Sequence, residues 1–213
     1  MTTAPQVTTT QIECGSFELT VSRPADSESL IDEERFEGDE FLPYWAELWP
    51  SGLALARYVA RRNLTGACVL ELGCGLGLPS LAAAHVGARV VATDWAPEAL
   101  DFLERNAAAN SIHLETALVV WADEKARSLG TFEVVLAADV LYEERNATPL
   151  LQLLDAVVAD TGEVWLADPG RRHAGRFFEL AGLAGWACEE APADEVPRGG
   201  ITCLRRQSNR ETG

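Results

Sequence analysis

Lysine is almost missing from this sequence: Lys125 is the only one among 17 basic residues, so arginine carries nearly all the positive charge. Positive charge is itself scarce. Against those 17 bases stand 33 acids, for a formal net charge of −16. Non-specific nucleic-acid binding draws its affinity from cations that neutralise phosphates, so no nucleic-acid partner is expected and a basic partner is easier to accommodate. Cysteine is sparse and scattered. Cys14, Cys68, Cys74, Cys188 and Cys203 form no C-x-x-C pair, which argues against a disulfide framework and against a structural zinc site. His85, His113 and His173 are isolated, at no ligand spacing, and are read as structural, so no metal is expected. No apolar run approaches the ~20 residues needed to cross a bilayer. The N-terminus lacks the basic-then-apolar pattern of a signal peptide. The expectation is a cytoplasmic protein without a membrane partner, and a monomer.

What is present is ordinary globular composition: 213 residues, 47% hydrophobic and 23% charged, enough for one sizeable core. Ile12, Cys14, Phe17, Leu19 and Val21 alternate around Gly15-Ser16, which predicts a small hairpin. Residues 26–40 hold eight acids and one base, Arg35, and read as a solvated loop or irregular helix. From residue 67 onward strand and helix patterns alternate. Strands are predicted at Cys68–Leu72, Arg89–Thr93, Leu118–Trp121, Phe132–Ala138 and Glu163–Ala167, with two weaker ones at Trp186–Glu190 and Ile201–Arg205. Helices are predicted from Ser51 to Arg62, and at Pro79–His85, Pro97–Asn110, Thr148–Val158 and Arg172–Leu183. The fold class expected is α/β. It is a doubly wound, mostly parallel, seven-stranded Rossmann-like sheet with helices on both faces and a short N-terminal β extension. Residues 1–40 are assigned to the extension and 41–213 to the domain.

The first strand of the domain runs into Glu71-Leu-Gly73-Cys-Gly75-Leu-Gly77-Leu-Pro79. A glycine-rich turn leaving this strand lets a ligand approach the backbone closely. Nicotinamide and flavin enzymes also use glycines here, but their G-x-G-x-x-G spacing asks for a small residue where Leu78 stands. The acid two residues before the first glycine is awkward beside a pyrophosphate and useful beside a cation. S-adenosylmethionine carries an ammonium and a sulfonium and no phosphate, so Glu71 favours it through charge, directly or through water. Asp94 ends the second strand, 21 positions after Gly73, where a carboxylate accepts hydrogen bonds from ribose hydroxyls. Trp95 is a candidate platform for the adenine ring, and Trp121 and Asp123, after the third strand, are placed near the adenine edge. Helix capping for Asp94 and Asp123, and plain packing for the two tryptophans, are the alternatives.

Three separated segments together resemble the class I S-adenosylmethionine-dependent methyltransferases, in particular the seven-stranded family 16 group that includes protein-lysine N-methyltransferases. They are Pro43-Tyr-Trp-Ala-Glu-Leu-Trp-Pro-Ser-Gly52, the Glu71–Gly77 loop with Asp94, and Ala137-Ala138-Asp139-Val-Leu-Tyr142. A fourth, Asp168-Pro-Gly-Arg171, resembles the group that methylates the β subunit of the electron-transfer flavoprotein. The resemblance implies that Asp139 accepts a hydrogen bond from the acceptor amine and that Tyr142 forms one wall. It places Trp49 and Ala138 on the cofactor side, and Tyr44, Trp45, Asp168 and Arg171 around the substrate. Lid packing for the aromatics, and a turn with a surface ion pair for Asp168 and Arg171, stand as alternatives. The implied reaction is methyl transfer to a lysine of a basic or lysine-bearing protein, leaving S-adenosylhomocysteine. A small amine substrate, a non-catalytic S-adenosylmethionine-binding protein and a nicotinamide-dependent oxidoreductase are the rival readings.

Overall fold

The structure is a computed structural model that describes residues 6–26, 43–191, 193, 195–196 and 198–207. The chain runs β1 (Val7–Cys14), β2 (Phe17–Pro24), α1 (Pro50–Ala60), β3 (Cys68–Leu72), α2 (Leu78–His85), β4 (Arg89–Asp94), α3 (Pro97–Ala109) and β5 (Glu115–Leu118). It continues through β6 (Phe132–Ala138), α4 (Ala147–Val157), β7 (Val158–Asp168), α5 (Ala174–Leu183), β8 (Trp186–Ala191) and β9 (Gly200–Arg206).

Strands apolar on both faces decide the architecture. In β3, Val69 enters one core cluster while Leu70 and Leu72 enter the other; in β6, Val134 and Leu136 alternate in the same way with Val135 and Ala137. Such strands need helices above and below. Residues of α1, α2 and α3 share the first cluster, and those of α4 and α5 share the second. The seven-stranded sheet has the order β5-β4-β3-β6-β7-β9-β8. Pairing is parallel from β5 to β7, and β9 is antiparallel to both neighbours. The winding reverses between β3 and β6, and a crevice opens there at the carboxyl ends of the strands. Among the described residues no helix is long and apolar enough to cross a membrane.

The predicted hairpin forms as β1 and β2, pairing Cys14 with Phe17 across the turn, and it shares the main core through Ile12, Cys14, Leu19 and Val21. Two asparagines four residues apart, Asn106 on α3 and Asn110 capping its end, hold it. Asn106 Oδ1 accepts the Ser22 N–H at 2.8 Å and Asn110 Oδ1 accepts the Thr20 N–H at 2.8 Å. Their amide groups donate back to the carbonyls of Ser22 and Thr20. Side chains thus satisfy the β2 edge that would otherwise need another strand. His85 is structural here, its ring stacked on Phe17 at 3.8 Å. The acidic stretch lies outside the described residues apart from Asp26.

Two strands differ from expectation. The third strand of the domain was predicted at Leu118–Trp121, but β5 ends at Leu118. The apolar Val119-Val120-Trp121 leaves the sheet: Val119 N–H bonds the Asp94 carbonyl at 2.8 Å, and a turn closes from Asp123 N–H to the Val120 carbonyl. Those side chains are apolar because they line the crevice. β7 begins at Val158, five residues earlier than predicted, because the turn-like Asp160-Thr-Gly162 is absorbed by a register shift opposite Phe132 and Val134.

Candidate active site

A cavity of about 770 Å³ lies across the switch between β3 and β6. Its lining includes Tyr44, Trp45, Trp49, Glu71, Gly73, Gly75, Gly77, Asp94, Trp95, Trp121, Ala138, Asp139, Tyr142 and Arg171. Of the site residues predicted from sequence, Asp123 and Asp168 do not line it.

The glycine loop forms one wall. Gly75 has φ +51°, in the region L side chains rarely adopt, and a Cβ there would stand 3.1 Å from the Trp45 carbonyl oxygen. Asp94 braces this turn, taking the Gly75 N–H on Oδ2 at 2.9 Å and the Ala96 N–H on Oδ1 at 3.0 Å. Burial pushes its carboxyl upward, and these backbone bonds oppose the shift. A carboxylate has about four lone-pair sites, so Asp94 retains acceptors toward the cavity. Trp95 next to it is 41% exposed, enough to present a ring face to a ligand.

Glu71 departs from its expected role. It lies on the cavity floor, but its Oε2 accepts the Ser80 N–H at 2.9 Å and a short bond from the Ser80 hydroxyl. Burial first, and then the nearby Asp94 charge, raise its pKa to about 8 against the bonds from Ser80. At neutral pH Glu71 is therefore mostly uncharged, a brace between β3 and the start of α2 and not an anionic anchor. Ser80 is the partner that sequence reasoning missed. An acid nine residues before a helical serine, across a tight turn, is the signal that was available.

Asp139 and Tyr142 form the opposite wall, at the end of β6. Asp139 has φ +55°, and Ser111 is the only other non-glycine at positive φ among the described residues. Aspartate tolerates that conformation at a cost of about 1 kcal/mol. Its N–H bonds the Ala167 carbonyl at 2.9 Å. The Asp139 carboxylate is gripped by Arg171 through Nε at 2.8 Å and Nη2 at 3.1 Å. Those bonds raise the guanidinium pKa still further. The Arg171 head lies 5.7 Å from the centre of the Trp49 ring.

The Tyr142 ring packs on Tyr44 at 5.3 Å. Burial, with Glu143 nearby, raises its phenol pKa and keeps the hydroxyl protonated. Trp49 donates its Nε1–H to the Tyr44 carbonyl at 2.8 Å, which fixes the aromatic segment over the mouth. Trp45 lines the cavity but places its ring 5.5 Å from Phe102 of α3, so much of it is packing. Asp168 turns away, its Oδ1 accepting the backbone N–H groups of Gly170 at 2.8 Å and Arg171 at 2.7 Å. It sets the backbone from which Arg171 reaches, so the turn with an ion pair is what the structure contains. The ion pair, though, is between Arg171 and Asp139.

The donor set at the glycine loop suits a cationic, phosphate-free ligand. Asp94 supplies its carboxylate, Glu71 adds a carboxyl that is mostly protonated, and the cationic lining side chains, Arg145 and Arg171, belong to the segments after β6 and β7. A sequence model of the family described as lysine methyltransferase matches residues 39–182. The chain belongs to this family. The protein N-lysine methyltransferase METTL21A of Mus musculus is 35% identical over 130 residues, 57% of this chain and 59% of that protein. The electron transfer flavoprotein beta subunit lysine methyltransferase of Danio rerio is 37% identical over 134 residues, 61% of this chain and 51% of that protein. The chain thus spans just over half the length of these relatives. Among solved structures, the T. thermophilus 16S rRNA N2 G1207 methyltransferase (RsmC), in complex with AdoMet and guanosine, aligns with TM-score 0.65. It is 16% identical and covers 95% of this chain and 51% of that one, a likeness of fold.

Proposed function

We propose that this protein is an S-adenosylmethionine-dependent N-methyltransferase whose acceptor is a lysine side chain in a protein. The observation that carries this is one cavity walled on one side by the Gly73–Gly77 loop with Asp94 and on the other by Asp139 and Tyr142. Family membership supports the reaction class, and the names of the two relatives support a lysine acceptor. The assignment of residues 41–213 to the catalytic domain, with 1–40 as an extension, belongs to the same reading.

In it, the free lone pairs of Asp94 take the ribose hydroxyls, the Gly73 and Gly75 backbone admits the methionine end, and Trp95 and Trp121 flank the adenine. Trp49 and Ala138 complete the cofactor side. When bound, S-adenosylmethionine supplies a methyl carbon on a sulfonium, whose C–S electron pair returns to sulfur as the acceptor nitrogen's lone pair forms the new C–N bond. The protein's own work is alignment and exclusion of water. A free lysine has a pKa of ~10.4, so the ammonium, once docked on Asp139, gives a proton to water before transfer. An Asp139 oxygen then accepts a hydrogen bond from a remaining N–H and points the lone pair across the cavity. Tyr142, protonated and packed on Tyr44, keeps the nitrogen from drifting, and the aromatic faces of Tyr44 and Trp49 tolerate a methylated cation.

Transfer of label from methyl-tritiated S-adenosylmethionine in a host-cell lysate tests this, with Asp139→Ala as control. Label in acid-precipitated protein, resistant to nuclease and falling about 10²–10³-fold in the variant, is expected. Label confined to the acid-soluble fraction would place the small-amine reading first. Binding without transfer to any fraction would favour a non-catalytic binding protein.

A further inference from the structure

At the acceptor end of the cavity the Arg171 guanidinium is paired with Asp139, while Asp168 bonds the Arg171 backbone and adds a second negative charge near the same side chain. We propose that Arg171 is a specificity-determining residue: its guanidinium holds the acceptor cation's place on Asp139, an entering alkylammonium displaces it, and Asp168 receives it. The inference rests on the methyltransferase reading above.

Three features carry it. The Asp139 side chain is 5% exposed, and each of its oxygens is bonded to Arg171. An amine reaching this carboxylate must therefore compete with a bidentate guanidinium, and only a cation offers comparable attraction. Secondly, Arg171 is held at its backbone and at its head but is 37% exposed along the side chain. Its N–H is fixed by Asp168 Oδ1, and Gly170 before it, at φ +88°, packs against the Arg198 backbone. Once its two bonds to Asp139 are given up, the half-exposed side chain can swing about an anchored Cα. Thirdly, the other Asp168 oxygen, Oδ2, is buried and has no hydrogen-bond partner. An unsatisfied buried acceptor is costly, and a guanidinium from its own turn would satisfy it.

The exchange balances charge. Before it, Asp139 pairs with Arg171; after it, Asp139 pairs with the ammonium and Asp168 with Arg171. The displaced guanidinium stays close enough to disfavour the ammonium form of the acceptor, which helps the proton leave. Neutral acceptors such as alcohols bring no charge to the exchange and leave Arg171 seated, so this wall selects amines that arrive protonated.

The test titrates n-butylammonium, with n-butanol as the neutral control, into the full chain with and without S-adenosylhomocysteine. Binding is followed by calorimetry and by the arginine Nε–H resonances. In the wild-type protein, n-butylammonium shifts the Arg171 resonance, identified by its absence in R171K, and n-butanol does not. Arg171→Ala tightens n-butylammonium binding about tenfold, and Asp168→Asn weakens it about tenfold only while Arg171 is present, a coupling of about 1.4 kcal/mol. Asp139→Asn removes binding in every background. If Arg171→Ala weakens binding or leaves it unchanged, or if Asp168→Asn acts equally in both backgrounds, Arg171 is a tether and the proposal fails. The wild-type resonance does not depend on any variant folding, and its indifference to n-butylammonium also overturns the exchange. Failure of S-adenosylhomocysteine to bind in the same calorimeter overturns the methyltransferase reading instead.

Discussion

On the glycine-loop wall the acidic side chains bond to groups held close by a single turn: Asp94 to Gly75 and Ala96, Glu71 to Ser80. On the opposite wall Asp139 is held by a guanidinium 32 residues further along the chain, and Tyr142 leans on Tyr44 from the segment that precedes the sheet in sequence. The first wall is set by backbone that forms whenever β3, α2 and β4 fold. The second is set by side-chain pairs that can exchange partners without disturbing the sheet. A wall of the first kind suits a ligand common to every turnover, and a wall of the second kind suits one that must be chosen and released.

The largest effect that would sharpen this contrast is expected from Asp94→Ala. It removes the ribose acceptors and orphans the Gly75 and Ala96 N–H groups, so S-adenosylmethionine affinity should fall about hundredfold by calorimetry. Binding of n-butylammonium on the other wall should stay within about twofold, because distant sites add independently. Equal losses at both ends would break the division. A smaller effect is expected from Gly75→Ala, which forces a Cβ into a φ of +51° beside the Trp45 carbonyl. Stability should drop by about 1–2 kcal/mol in denaturant unfolding, with cofactor affinity down about tenfold.

The remaining effect concerns pH. The Glu71 pKa stands near 8 when folded against an ordinary 4.5. The unfolded chain therefore loses this proton first as pH rises, and the group lowers stability progressively across that window. Its slope is at most about 1.4 kcal/mol per pH unit. Glu71→Gln keeps an acceptor for Ser80 and should flatten the pH dependence of Tm between pH 5 and 8 relative to wild type. An unchanged slope would mean that Glu71 is charged in the folded protein after all.

The same contrast explains what was legible in the sequence. The Glu71–Gly77 loop and Asp94 act through local backbone, and local backbone is written in glycine spacing and strand ends. The Phe132–Ala138 strand was read to the residue because its apolar run is buried on both sides. Val119-Val120-Trp121 was misread for the same reason, since an apolar run looks identical whether it fills a core or lines a crevice. The clasp of Arg171 on Asp139, the docking of the β2 edge by Asn106 and Asn110, and the stacking of Phe17 on His85 depend on which distant segments the fold brings together. No spacing rule encodes those pairs. The resemblance to family 16 enzymes put Asp168 and Arg171 near the substrate together, whereas the structure separates a cavity-lining Arg171 from an Asp168 that shapes its turn.

The acceptor chemistry is the point on which the whole account turns. The most direct measurement is fragment-ion mass spectrometry of the protein labelled in a lysate by the wild-type chain and not by the Asp139→Ala variant. The account predicts the added methyl on a lysine Nε. A methyl on an oxygen, a thiol, an arginine guanidino group or a nucleobase would contradict it.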